Sequence, residues 1–248
     1  MQSFVRHHIK GICGILEFGN ASGNSLTSNM LKELSQNLKL LDSNKLVKVI
    51  ILKSSGLKAF SGGASLTELK TLKSFDEARE FFLGFANLIN AFRALKKFVI
   101  LQIQGRVVGG GLGIVAACDY VIANEKAEIK LSELSIGIGP FVIEPAITRK
   151  IGSAAFAQLS LEAENWKTAK WAKQKGLYNS VLNSHKELEK LAQELTKKFG
   201  NYSADAMEKL RQLHWKNTEH WESTLKSNAE ITAKLLLKDA AQSILEKF

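Results

Sequence analysis

Two glycine-rich turns carry the residues best suited to chemistry. Lys58-Ala59-Phe60-Ser61-Gly62-Gly63-Ala64-Ser65-Leu66 follows one extended segment, and Gly105-Arg106-Val107-Val108-Gly109-Gly110-Gly111-Leu112-Gly113 follows another. Positions without a side chain at the mouth of a helix let a ligand approach main-chain N–H groups, and the helix N-terminus adds a field that favours negative charge. Two such amides converging on one point form an oxyanion hole for a carbonyl oxygen that gains charge during reaction. Residues 109–113 do not have the phase of a G-x-G-x-x-G fingerprint, no Walker lysine follows either turn, and no G-x-S-x-G elbow is present. Those absences argue against nucleotide-phosphate binding of these kinds and against serine hydrolysis. On the glycines alone, turns with a purely structural role remain an alternative.

The elements that must position these turns can be read from periodicity. Residues 12–18 read as a strand and 26–41 as an amphipathic helix with Leu31, Leu34, Leu38 and Leu41 on one face. The run KLVKVIILKS at 45–54 suggests a strand covered on both sides. Residues 75–97 place Phe81, Phe82, Phe85, Leu88, Ile89 and Phe92 at helical spacing, an ordinary core face. A strand at 98–104, the glycine turn, a small-residue helix LGIVAAC and a strand YVIAN follow. That alternation predicts stacked ββα or βαβ units. From about residue 153 the pattern reads as helical without interruption, with helices over 184–199, 203–217 and 218–247 and Gly200 as a stop. The expected organisation is an α/β core over 1–182 and a helical region over 183–248.

Composition narrows the class. The chain has 248 residues, 45% hydrophobic and 23% charged, with two prolines, the profile of a folded globular protein. No uncharged apolar run reaches the ~20 residues of a membrane span, and the N-terminus lacks signal-peptide features, so a cytoplasmic protein is expected. Cys13 and Cys118 lie in apolar surroundings and read as buried small hydrophobes. His7, His8, His185, His214 and His220 have no metal-site spacing, and no metal is expected. Trp166, Trp171, Trp215 and Trp221 read as packing residues of the helical tail. A net charge of +10 favours anionic partners without identifying one.

Three segments in register carry a resemblance: KAFSGGASLTEL at 58–69, QIQGRVVGGGLGIVAACDYVIAN at 102–124 and LSELSIGIGP at 131–140, continued by KWAKQKGLYNSVL at 170–182. Together they resemble the enoyl-CoA hydratase/isomerase (crotonase) family, with GPFVIEP at 139–145 similar to its methylglutaconyl-CoA hydratase-like branch. The resemblance implies a spiral of ββα units followed by a C-terminal helical trimerisation region, and a homotrimer or hexamer. It implies an acyl-CoA thioester substrate, with no cofactor beyond the CoA moiety. The amides of Gly62 and Gly110 would hold the thioester oxygen, the backbone around Ala64 would line the adenine pocket, Leu66 would join it in binding the CoA moiety, and Lys58 would approach the CoA phosphates.

Departures from the family pattern are informative. Two-carboxylate hydratases of the family carry glutamates at the positions that are Gly113 and Glu133 here, and only Glu133 is kept. One carboxylate suffices to move a proton between two carbons, so double-bond isomerisation is preferred over hydration. Alone, Glu133 reads as a helix-start or surface carboxylate; in register it reads as the acid/base. Glu144 is the candidate for a second acid, against a plain role beside Pro145 at a helix start. Ser65 replaces the aspartate of many relatives. Lys32, Lys39, Lys45 and Lys48 read as a solvated basic face on and after the first helix. Because members of the methylglutaconyl-type branch bind RNA through such a helix, a non-catalytic binding protein is the competing class. The absence of interleaved aromatics argues against base reading.

Overall fold

A computed structural model of the chain describes residues 2–247. Strand β1 (Phe4–Lys10) pairs antiparallel with β2 (Cys13–Gly19), and the chain reverses at Gly11, where φ is +60°. Helix α1 (Ser28–Ser43) starts where the Thr27 side chain accepts the Met30 N–H, and it buries Met30, Leu31, Leu34, Leu38 and Leu41. Strands β3 (Val49–Ser54) and β4 (Ala59–Ser61) lead to a short α2 (Leu66–Leu69), capped by Ser65 accepting the Glu68 N–H. Helix α3 (Phe75–Ala94) opens with a capping box between Ser74 and Glu77. Strands β5 (Phe98–Ile103) and β6 (Arg106–Val108) then feed α4 (Gly110–Ala117), every residue of which is buried.

Strands β7 (Tyr120–Asn124) and β8 (Ile129–Lys130) precede a 3₁₀ turn at Leu134–Ile136. Helices α5 (Glu144–Leu161) and α6 (Ala169–Gln174) lead to β9 (Ser180–Leu182). The chain closes with α7 (His185–Gly200), α8 (Ala204–His214), α9 (Trp221–Leu236) and α10 (Asp239–Leu245).

From β3 to β9 successive strands alternate between two sheets. The larger has the order β1-β2-β3-β5-β7-β9, and the smaller the order β4-β6-β8. All pairings after the first hairpin are parallel. A chain that visits two sheets in turn, with helices at the crossovers, winds as a spiral of ββα units. The apolar runs in β3 and β5 are buried on both faces. Leu52 and Leu101 join the main core, while Val49, Ile51 and Ile100 meet Leu188, Ala192 and Leu195 of α7. Helix α9 lies along α3, and Ala241 of α10 packs on Gly137 next to the 3₁₀ turn.

The structure corrects two expectations. The region after 153 is not uninterrupted helix: β9 joins the sheet beside β7, a three-residue strand too short to show a period. Residues 218–247 form two helices rather than one. Strand β1 leaves no period in the sequence, because FVRHHIK is a largely exposed edge strand without an apolar face. Among the described residues no helix is long and apolar enough to cross a membrane.

Candidate active site

The two glycine turns meet at the mouth of α4. Gly105 allows β4 and β6 to approach, since a Cβ there would lie 2.4 Å from the Lys58 carbonyl oxygen, which accepts the Arg106 N–H at 3.1 Å. Gly63 and Gly109 have φ of +83° and +50°. A Cβ on Gly63 would lie 2.9 Å from the Val108 carbonyl oxygen and 3.5 Å from the Gly110 nitrogen, so the loops touch backbone to backbone. Each of these two glycines immediately precedes an amide with no acceptor among the described residues, Ala64 and Gly110. Gly110 is the first residue of α4, so its N–H has no intrahelical partner.

This arrangement corrects the expectation for the Gly62 amide, which donates to the Gly23 carbonyl at 2.9 Å and is therefore already satisfied. The Leu26 N–H donates to the Gly63 carbonyl at 2.7 Å. In a trans peptide C=O and N–H point in opposite directions, so the Ala64 N–H is turned away from Leu26. Ala64 borders the cavity described below, whereas Leu26 is wholly buried. The two free donors are thus Ala64 and Gly110. The signal available in the sequence was the residue after the glycine pair, not a member of the pair.

Glu133 stands between β8 and the 3₁₀ turn. Its own carbonyl accepts the N–H groups of Ile136 at 3.2 Å and Ile138 at 3.1 Å, which fixes its backbone. Its carboxylate lies against the second turn: a Cβ on Gly109 would be 3.0 Å from Oε1. The residue is half-buried overall, but Oε2 is shielded and has no hydrogen-bond partner among the described residues. Burial pushes the carboxyl up to about 7, with a hydrogen bond from its own backbone N–H pulling the other way. A carboxyl that titrates near neutrality is suited both to take and to return a proton.

Gly62, Gly63, Ala64, Gly109, Gly110 and Glu133 all border one cavity of about 250 Å³. Its remaining wall is mostly apolar: Leu66, Phe82 and Phe85, then Ile136, Ile138, Val142 and Ile143, with Thr232 from α9. Phe85 also seats the second turn, because a Cβ on Gly110 would be 2.4 Å from its Cε1. Lys58 is exposed and does not border the cavity. Glu144 does not border it either; its Oε1 accepts the Thr148 hydroxyl at 2.7 Å at the start of α5. Ser65 is the N-cap of α2, a task that serine and aspartate perform alike.

Trp166 differs from its sequence reading. Rather than packing in the tail, it borders the cavity outside any helix, with the Arg106 guanidinium 4.6 Å and the Lys130 ammonium 4.8 Å from its ring centre. The indole and the strand that carries Lys130 meet through the Ile129–Lys167 bridge, a contact with no sequence signature. Trp215 and Trp221 do pack together, edge to face at 5.8 Å.

Residues 10–247 match the family model described as enoyl-CoA hydratase/isomerase. A short-chain-enoyl-CoA hydratase from Clostridium acetobutylicum is 32% identical over 71% of this chain and 66% of its own length. The mitochondrial methylglutaconyl-CoA hydratase of Rattus norvegicus is 34% identical over 74% of this chain and 59% of its own. Among solved structures, an enoyl-CoA hydratase from Bacillus halodurans superposes with a TM-score of 0.92 at 21% identity, covering 99% of this chain and all of the other.

Proposed function

The chain belongs to the enoyl-CoA hydratase/isomerase family, and we propose that it moves a double bond within an enoyl-CoA thioester, using Glu133 as its acid/base. One observation carries this reading: a half-buried carboxyl raised to about 7, whose shielded Oε2 has no hydrogen-bond partner among the described residues, beside the mouth of a helix whose first amide is free. The thioester oxygen would accept from the Ala64 and Gly110 N–H groups. Ionised Glu133 would remove a proton from the carbon next to the thioester. The electron pair left behind spreads onto that oxygen as a dienolate, and protonated Glu133 returns the proton at the far end of the conjugated system. No other reactant is needed. Donors already in place when charge develops contribute roughly 3 kcal/mol each in comparable sites, and the apolar wall keeps their effective dielectric low.

Hydration is the second reading, supported by the similarity to a methylglutaconyl-CoA hydratase. The deciding experiment supplies 2-enoyl- and 3-enoyl-CoA in oxygen-labelled water. Alkene migration without label supports isomerisation; uptake of label without migration overturns it. In either case Glu133→Gln should lower turnover by about 10²- to 10⁴-fold and leave CoA-ester affinity near its original value. Full activity in that variant would refute the assignment. An approach of Lys58 to the CoA phosphates and a homotrimer or hexamer stay part of the proposal, tested by the salt dependence of CoA affinity and by light scattering.

A further inference from the structure

Gly113 lies on α4, one turn beyond Gly110, and its missing side chain has a definite replacement. A Cβ there would be 2.5 Å from Ile143 Cγ2 and 3.1 Å from Ile143 Cβ, with Ile89 Cδ1 next at 3.7 Å. Ile143 is 3% exposed, sits immediately before α5 and borders the same cavity as Glu133. The space through which a residue-113 side chain would grow is therefore filled by a branched aliphatic group belonging to the cavity wall. Neighbouring Glu144 does not make up for this, because its carboxylate is held by Thr148 outside the wall.

We infer that Ile143 is the residue that sets the reaction class of this site, by occupying the position from which a second carboxylate would hold water. The inference rests on the proposed role of Glu133 and deepens it. Hydration of a 2-enoyl thioester needs a water oxygen to bond to C3 while one of its protons is taken up and another proton reaches C2. A hydrocarbon side chain neither orients that water nor accepts its proton, and it fills volume the water would need. Proton transfer between two carbons through Glu133 has no such requirement. Gly113 and Ile143 thus act as a pair: either larger residue at 113 or the present isoleucine fits, but not both.

The test measures a partition ratio, oxygen-label incorporation at C3 divided by alkene migration, in the wild type, in Ile143→Ala and in the double variant Gly113→Glu/Ile143→Ala. Thermal melting identifies which variants fold. In the wild type, migration should exceed incorporation by about 100-fold, and Ile143→Ala should raise the ratio by about tenfold as water enters. The double variant should raise it further, the introduced carboxylate taking the water proton as C–O forms and protonated Glu133 delivering the proton to C2. A wild type that incorporates label as fast as it migrates the alkene overturns the inference. So does an unchanged ratio in the folded variants, and if the double variant does not fold, Ile143→Ala decides alone. Glu133→Gln keeps the two claims separable: persistence of both reactions in that variant defeats the Glu133 reading, whereas their joint loss with an unchanged ratio in Ile143→Ala defeats only the role of Ile143.

Discussion

Two acids lie in shielded positions of this molecule, and the fold treats them in opposite ways. Asp119, immediately before β7, has a side chain 5% exposed; its Oδ2 accepts from Arg211 Nε at 3.1 Å and from the Val99 N–H at 2.8 Å. Arg211, 1% exposed, also donates to the Phe92 carbonyl at 2.6 Å and the Leu95 carbonyl at 2.5 Å, so one guanidinium ties the end of α3 to the sheet. Glu133 has no counter-charge beside it and only its own backbone N–H as a donor: its inner oxygen has no partner among the described residues, and burial raises its carboxyl to about 7. A buried charge with all its partners holds elements together. One left without them costs stability and is kept where the proton is to be moved.

If the contrast is right, breaking the partnered site has the largest effect. Asp119→Ala should destabilise the fold by about 3–5 kcal/mol, because it leaves the Arg211 charge buried without its counter-charge; urea unfolding measures it. The Gly109→Ala variant comes next. It puts a side chain at φ of +50° and 3.0 Å from Glu133 Oε1, displacing the peptide that aims the Gly110 amide. Turnover should fall by about 10²-fold, while the melting temperature moves by only a few degrees.

The unpartnered site should show the reverse sign in stability. Glu133 titrates near 7 in the folded chain against 4.5 for the ordinary group. Below 4.5 it is protonated in both states and carries no penalty. Between about 4.5 and 7 the unfolded chain ionises while the folded carboxyl stays protonated, so stability falls across that window and the loss is complete above 7, where both states are ionised. Glu133→Gln should therefore be more stable than the parent by about 2–3 kcal/mol at pH 8, with no advantage below pH 4.5. Denaturant midpoints at the two pH values measure this. The smallest effect is expected at Glu144, whose carboxylate hydrogen-bonds only Thr148 among the described residues: Glu144→Gln should leave turnover within about twofold, and a large loss would return it to the catalytic group.

The contrast also explains what the sequence made legible. The Phe81–Phe85–Ile89 stripe, the β-branched run before Ser54 and the glycine triplet announced α3, β3 and α4 because burial on defined faces imposes a period. The three motifs singled out Glu133 and the Gly110 amide, which the structure brings to one cavity. They also singled out the Gly62 amide, which is not free, because which amide of a Gly-Gly-Ala loop is free depends on the carbonyl of Gly23, 39 residues earlier in the chain, and no local pattern records that contact. Trp166 and Ile143 were missed as cavity residues for the same reason. Each reaches the site through a long-range contact, with Arg106 and Lys130 in one case and Gly113 in the other.

The central claim is that Glu133 carries the proton, and it is tested most directly by following exchange of the hydrogen next to the thioester in a non-isomerisable acyl-CoA dissolved in D₂O. Exchange should rise with pH through a midpoint of about 7 and fall by about 10²- to 10⁴-fold in Glu133→Gln, with affinity for the ester retained. Exchange at the parent rate in that variant, or a parent profile flat across pH 5–9, would contradict the account.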